Sequence, residues 1–429
     1  MEIKVDTLIA GGGITGLSAA AALRGDWLLL EREAELGGYC RSLRRNGYIW
    51  DWAGHFFHFR DGAAERDFRS LFAPGELLAL DKCTKILYHG QLIDYPFQTH
   101  IHELPEGEFR RCLADLLDRR ETAVPGSFLD MLYARFGRAI TEAFLRPYNE
   151  KLYACALSTL DEGAMGRFFP PAELSGLAAA LRGEERESYN SRFLYPKNGA
   201  GALVESLCRT LPGERLRTGR ALLRVDARSH TAEDSAGDRY RYRNFINTTP
   251  LNRFLPLLAG QPYRAIGETL SWNKVLVLNL GFARKGPLTR EHWLYVPGSE
   301  ANFYRVGYYD NVGGGARMSL YVEIGFPADA AVDVPREREA ALAALRRQGL
   351  VQTDNILVDH EALLMDPAYV HVSTESEAAV RLLKKELALS GICTIGRYGG
   401  WCYCSMEDCM LQARALARRL NRAAEEKAS

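Results

Sequence analysis

The run Gly11-x-Gly13-x-x-Gly16 stands where the first strand of the chain hands over to its first helix, and few short patterns restrict a fold so tightly. Lys4 to Ala10 alternate toward a β-strand, Leu17 to Arg24 read as a helix rich in small residues, and Trp27 to Leu30 as a second short apolar strand. Together they make a βαβ opening within about thirty residues. The glycines let the backbone approach a pyrophosphate, and the helix N-terminus adds partial positive charge. Glu31, twenty residues beyond Gly11, lies where a carboxylate can bind ribose hydroxyls. A dinucleotide held by Gly11, Gly13, Gly16 and Glu31 is the expectation.

At 429 residues the chain is too long for one compact unit, so two or three domains sharing a large core are expected. An oligomer is compatible with this length but not required by it. The 54 basic residues balance 54 acidic ones, which excludes nucleic acid and an anionic membrane as bulk partners. No stretch approaches the roughly 18 to 20 apolar residues of a membrane span. Met1 to Ala10, with Glu2, Lys4 and Asp6, fits a first strand and not a signal peptide, so the expected location is cytoplasmic. The nine cysteines form no disulfide framework. Cys402, Cys404 and Cys409 cluster in sequence but lack C-x-x-C spacing and a nearby histidine, so no metal is expected.

Further along, Glu103 to about Arg182 shows helical spacing, opened by a Ser127-x-x-Asp130 cap before Leu132, Phe136, Ile140 and Phe144. Ala221 to Tyr242 read as a β-meander and Asn244 to Asn247 as a strand. Lys274–Phe282, Trp293–Val296, Phe303–Tyr309 and Met318–Ile324 read as strands of a second sheet. A helix over Glu337–Arg347, a strand over Ile392–Ile395 and a helix over Glu407–Lys427 close the chain. The fold class is α/β: a Rossmann-type dinucleotide-binding domain with an inserted helical domain and a second, mostly antiparallel β-sheet domain. The dinucleotide domain is assembled from residues 1–98, 191–265 and 386–429, the helical substrate domain from 99–190, and the antiparallel sheet domain from 266–385.

FAD is favoured over NAD by Gly37-Gly38-x-x-Arg41-Ser42, which resembles an extension found in the superfamily of amine oxidases and desaturases. The strand before Gly396-Arg397 resembles the same superfamily's late flavin contact. Gly38, Arg41, Ser42, His55, Gly396 and Arg397 join the expected cofactor residues on that basis. Other segments resemble the UDP-galactopyranose mutase family, in its eukaryotic-type branch, from Met1 to about Leu420. Gly54-His55 is similar to the loop that family lays against the flavin ring, with Ala53 replacing its first glycine. Tyr95-Pro96-Phe97-Gln98 and Arg146-Pro147-Tyr148-Asn149 resemble its uracil-holding segments. Tyr295 and Arg305, ten residues apart, resemble its diphosphate-binding pair. Arg167, Asn190, Tyr369 and Tyr403 fall where the family has sugar, flavin and phosphate contacts.

The residue types suit such a ligand on chemical grounds. Arg305 and Arg167 offer planar forks for a diphosphate, and tyrosine hydroxyls add neutral donors. Phe97 or Tyr153 can stack on a pyrimidine while Gln98 and Asn149 donate and accept along its edge. Taken singly, Phe97 and Tyr148 read as core aromatics, Arg305 as a surface charge and His55 as a structural histidine; their recurrence in order points to a site. Besides Ala53, two further places depart from the family. Cys404 to Glu407 stand where an asparagine is usual after the tyrosine matching Tyr403, and Tyr153 stands where a tryptophan is common.

The resemblance implies a FAD-dependent pyranose/furanose mutase acting on UDP-galactopyranose or a close relative, with reduced flavin N5 as nucleophile and no net redox change. It gives His55, Arg167 and Arg305 catalytic parts and NAD(P)H the role of reductant. UDP-N-acetylgalactosamine or dTDP-fucose would suit a varied pocket, and cell-surface glycan synthesis is the matching setting. The alternative is a FAD-dependent oxidoreductase of the amine oxidase or desaturase type on the same scaffold.

Overall fold

The computed structural model describes residues 1–119, 126–165, 173–184 and 191–428. The opening follows the sequence reading closely: strand β1 (Glu2–Ala10), helix α1 (Ile14–Ala22) and strand β2 (Trp27–Leu30). All four residues of β2 are buried, as expected for a strand covered on both faces of a parallel sheet. Helix α1 sits close to β1 because a Cβ at Gly16 would stand 1.9 Å from the Gly11 carbonyl oxygen, so only glycine permits the contact.

Among the described residues the strands form two large sheets. The first has seven strands, ordered 222–226, 231–234, 239–247, β1, β2 and 216–217, with 392–394 also against 239–247. Strand Arg239–Asn247 unites two features read separately from the sequence. Its beginning closes the antiparallel meander with 231–234, and its end runs parallel to Ile392–Thr394. The C-terminal helix Met406–Ala428 returns to α1, where the Asn421 amide donates to the Ala22 carbonyl and accepts the Arg24 N–H.

The second sheet has eight strands and is antiparallel except where Trp293–Tyr295 runs parallel to Thr84–Tyr88. The hairpin Thr84–Tyr88/Gln91–Asp94 extends it from within the first hundred residues, a contribution the sequence reading did not anticipate. Strand Ser271–Phe282 is covered on both faces. Leu276, Leu278, Leu280 and Phe282 pack toward helix Val334–Arg347, while Val275 and Val277 point the other way, into the core shared with the inserted helices. Each of those four side chains is fully buried, a gain of roughly 1.5 to 3 kcal/mol apiece relative to exposure.

The inserted helices Phe128–Ile140 and Arg146–Tyr153 lie over that second face. Ser127 caps the first of them, its hydroxyl accepting the Asp130 N–H at 3.2 Å. The sequence reading did not foresee strand Leu357–Met365 or helix Thr374–Leu389, although the latter opens with a reciprocal Ser373–Ser376 cap. Among the described residues no helix is long and apolar enough to cross a membrane.

Candidate active site

A cavity of about 970 Å³ runs between the dinucleotide turn and the inward face of the second sheet. At the turn, Gly11 adopts φ +100°, and a side chain there would meet the Thr248 hydroxyl at 2.5 Å. Around Gly13 the reverse holds: nothing lies within 4 Å of where its Cβ would stand, so approach to that backbone is open. Glu31 is 8% exposed, and its two oxygens accept the backbone N–H groups of Gly12 (2.6 Å) and Glu33 (2.9 Å). Those bonds hold the carboxylate at the strand end while leaving lone pairs for hydroxyls. Arg41 donates to the Gly38 carbonyl at 2.9 Å and lays its guanidinium 4.6 Å from the Trp52 ring.

Three expected cofactor contacts lie elsewhere. Ser42 does not line the cavity: its hydroxyl bonds the Asp51 carboxylate and accepts the Gly201 N–H at 2.8 Å. Asp51 is fully buried, also accepting from Tyr195 Oη and Ala200 N, so this network fixes the wall from behind. Gly16 serves helix packing. Gly396, at φ +81°, presses against Thr15 and leaves the cavity to its neighbour Arg397.

The second sheet supplies the other wall through strand register. Tyr295 pairs with Arg305, and Arg305 with Glu323, so the three side chains stand in one row across three adjacent strands. All three line the cavity. Arg305 Nη2 donates to Tyr148 Oη at 3.3 Å, Nη1 lies 3.5 Å from Glu323, and the guanidinium lies 5.5 Å from the Tyr295 ring. Its Nε is buried with no partner among the described residues. Burial works against the charge of Arg305, but Glu323 and the surrounding tyrosines hold it protonated. Burial raises the phenols of Tyr148, Tyr295, Tyr304, Tyr321 and Tyr369, which keeps them neutral donors.

Arg397 lies 5.0 Å from the Tyr369 ring and 4.7 Å from that of Tyr403, two near-parallel rings 5.9 Å apart. Lys82 stands over Tyr95, its pKa pushed down to about 8 by burial. Arg305, Arg397 and Lys82 therefore bring three cations to a tyrosine-lined region where Glu323 is the facing carboxylate. Gln98 and Asn149 also line the cavity. Asn149 donates to Leu145 O at 2.6 Å and leaves its own buried carbonyl oxygen without a partner among the described residues.

Phe97 and Tyr153, read as stacking platforms, lie behind the wall. Phe97 is fully buried, stacked at 5.1 Å on Phe144, which stacks in turn at 5.4 Å on Tyr148. Phe144 and Tyr148 are the members of that ladder that reach the cavity. Tyr153 is fully buried, with its ring edge toward Tyr369. The placement of Tyr153 follows from helical register: residues 144, 145, 148, 149 and 152 line the cavity and 153 does not. Arg167 and Asn190 lie outside the described residues. The sequence reading missed Glu323, Lys82, Trp52 and Tyr321; the hydrophobic alternation of Ser319–Pro327 places 321 and 323 on one face, the one signal available for two of them. Among the described residues Asp94, His100 and Glu103 bring possible metal ligands within 4.8 Å, but Asp94 pairs with Lys85 and Glu103 accepts the Asp94 N–H.

His55 and His58 line the cavity, each with its pKa pushed down to about 4 by burial, helped by Arg397 and Arg305 for His55 and by Lys82 for His58. An unfolded histidine protonates near 6.5, so between about 6.5 and 4 the unfolded chain binds more protons and stability present at pH 7 is lost on acidification. Asp51 opposes this, since burial raises its pKa from 3.8 to about 6. Two histidines outweigh one carboxylate. Tm of the cofactor-free protein should fall from pH 7 to pH 5, less steeply in His58→Gln; an equal slope in that variant contradicts the assignment.

Residues 14–421 match the family model of flavin containing amine oxidoreductases. Similar solved structures include a reduced UDP-galactopyranose mutase, at TM-score 0.90 and 24% identity, covering 97% of this chain and 93% of that one. A proposed protoporphyrinogen oxidase from Exiguobacterium sp. 255-15 follows at TM-score 0.77 and 18% identity, covering 98% and 99%. Putrescine oxidase bound to putrescine gives TM-score 0.68 and 13% identity, covering 98% and 99%. These likenesses are likenesses of fold.

Proposed function

Given that the chain belongs to the flavin containing amine oxidoreductase family, we propose that it is a FAD-dependent nucleotide-sugar mutase that interconverts UDP-galactopyranose, or a close relative, with its furanose form. The observation that carries this reading is the row Tyr295–Arg305–Glu323 facing Arg397, Tyr369, Tyr403 and Lys82. It offers two guanidinium forks, one ammonium and several neutral phenols against one carboxylate, a composition suited to a diphosphate. Glu323 orients Arg305, and the Asn149 oxygen, without a partner among the described residues and in the same cavity as Gln98, can accept an imide N–H of a pyrimidine.

The residues present also fit the family's cofactor, FAD. The open backbone at Gly13, the Glu31 carboxylate and the Arg41–Trp52 pair would hold its dinucleotide part. When bound and reduced, FAD supplies a nucleophile toward the anomeric carbon and no net electron transfer is needed. Arg305 and Arg397 stabilise charge on the departing diphosphate, with Tyr295, Tyr369 and Tyr403 as further donors. His55, neutral at pH 7 with a buried Nδ1 free of partners among the described residues, positions the flavin edge. NAD(P)H is the proposed reductant, and nine free thiols suit a reducing, cytoplasmic setting.

One observation favours amine oxidation instead: the near-parallel Tyr369 and Tyr403 rings could flank a substrate amine. Arg397 stands over both rings, however, and would repel an ammonium there. Oxygen uptake separates the two readings. A mutase converts UDP-galactose over many turnovers with no stoichiometric uptake, whereas one oxygen consumed per product would establish the oxidase.

A further inference from the structure

The C-terminal helix Met406–Ala428 opens with a reciprocal cap: Ser405 Oγ accepts the Asp408 N–H (3.1 Å) and the Asp408 carboxylate accepts the Ser405 N–H (2.8 Å). Cys404 thus immediately precedes the cap and Cys409 lies four residues beyond it. Side chains at those two positions commonly meet as an apolar staple that fixes the entry of the chain. Here the staple consists of two thiols. Both are buried, their sulfurs are 3.6 Å apart, and both belong to the cavity wall.

Their surroundings favour thiol chemistry. The bond from Cys404 lowers the pKa of Cys409, with Thr15 and Arg397 assisting against burial. Cys402, on the other side of Cys404, is likewise pushed down by its bond with Cys404, aided by Lys384 and Arg397. A thiol with thiolate character therefore lies next to a neutral one, the arrangement found in reactive pairs. The same stretch is tied to the anion-binding wall: the Cys404 carbonyl accepts Arg397 Nη1 at 3.0 Å, and Tyr403 precedes it directly.

We infer that Cys404 and Cys409 are a redox-active pair that a peroxide closes into a disulfide within the cavity wall. The Cys409 thiolate attacks hydrogen peroxide, breaking the O–O bond to give a sulfenic acid and, after protonation, one water. The Cys404 thiol then displaces the sulfenic oxygen as a second water, forming the S–S bond. Two thiols lose two electrons and two protons, and the peroxide takes up both. Closing the sulfurs from 3.6 Å to the ~2.05 Å of a disulfide moves Cys404, because Cys409 is held in the helix. The displacement is passed to Arg397 and Tyr403. This inference is independent of which substrate the cavity takes.

The test treats the full-length, FAD-loaded protein with hydrogen peroxide, alkylates it under denaturing conditions and reads the tryptic peptides by mass spectrometry. Alkylatable thiols should drop from nine to seven, both lost within the peptide spanning 398–414, with fragmentation placing the link between 404 and 409. Dithiothreitol should restore all nine. Cys402→Ser should still form the link, and Cys409→Ala, which keeps a strong helix former in the helix, should abolish it. The inference is overturned if 404 and 409 stay alkylatable, if the link uses Cys402, or if either sulfur goes to the sulfinic acid in place of a disulfide.

Discussion

Replacing Arg305 with alanine should lower turnover of a nucleotide-diphosphate sugar by roughly two to four orders of magnitude, the cost expected when a preorganised donor to a departing anion is lost. Strand register puts its guanidinium between Tyr295 and Glu323, and its buried Nε has no partner among the described residues to occupy it. The same substitution strands the Glu323 carboxylate, only 3% exposed, and breaking a buried pair this way costs about 3 to 5 kcal/mol. Stability and catalysis must therefore be separated. The double variant Arg305→Ala/Glu323→Gln should recover most of the lost Tm and none of the lost turnover. Arg305→Lys keeps the charge without the fork and should recover only part of the activity. Near-normal turnover in Arg305→Ala would remove this residue from the reaction.

A second large effect concerns the cofactor and depends on two glycines that look alike in sequence. Gly13 has ordinary extended backbone, φ −75° and ψ −178°, and open space around its absent side chain. Gly13→Val should thus fold normally but lose FAD affinity on the order of 100-fold or more, because the side chain fills the approach to the helix N-terminus. Gly16→Val should act on the fold itself, since its Cβ would be 1.9 Å from the Gly11 carbonyl oxygen. Flavin absorbance of the purified proteins and thermal melts of their cofactor-free forms check both. A yellow Gly13→Val protein of wild-type affinity would contradict the placement of the dinucleotide.

Much of this was legible because local patterns coincide with their elements. The βαβ opening, the Ser127 cap and the strand run from 271 to 327 all carry their own periodicity or punctuation. The tyrosines and arginines at 295, 305, 369, 397 and 403 line one cavity. What sequence could not supply was facing. Phe97 and Tyr153 are aromatic and adjacent to cavity residues, yet one ladder of rings and one helical turn place them in the core. Ser42 sits beside Arg41 but turns to Asp51 across its own hairpin and to the turn at Ala200 and Gly201, a partner far away in the chain. Glu323 went unread because its significance lies in cross-strand register with Arg305, and register is a tertiary property. The hairpin 84–94 joined the second sheet for the same reason, through a pairing more than two hundred residues distant.

Under the proposed function this cavity isomerises a nucleotide sugar with a reduced flavin. Its most direct test incubates UDP-galactopyranose with the FAD-loaded protein, once after dithionite reduction and once oxidised, and separates the products chromatographically. Interconversion with UDP-galactofuranose in the reduced sample alone is the expected result. Reduced protein that converts neither this nor other nucleotide-diphosphate sugars, while oxidising an amine with oxygen uptake, would contradict it.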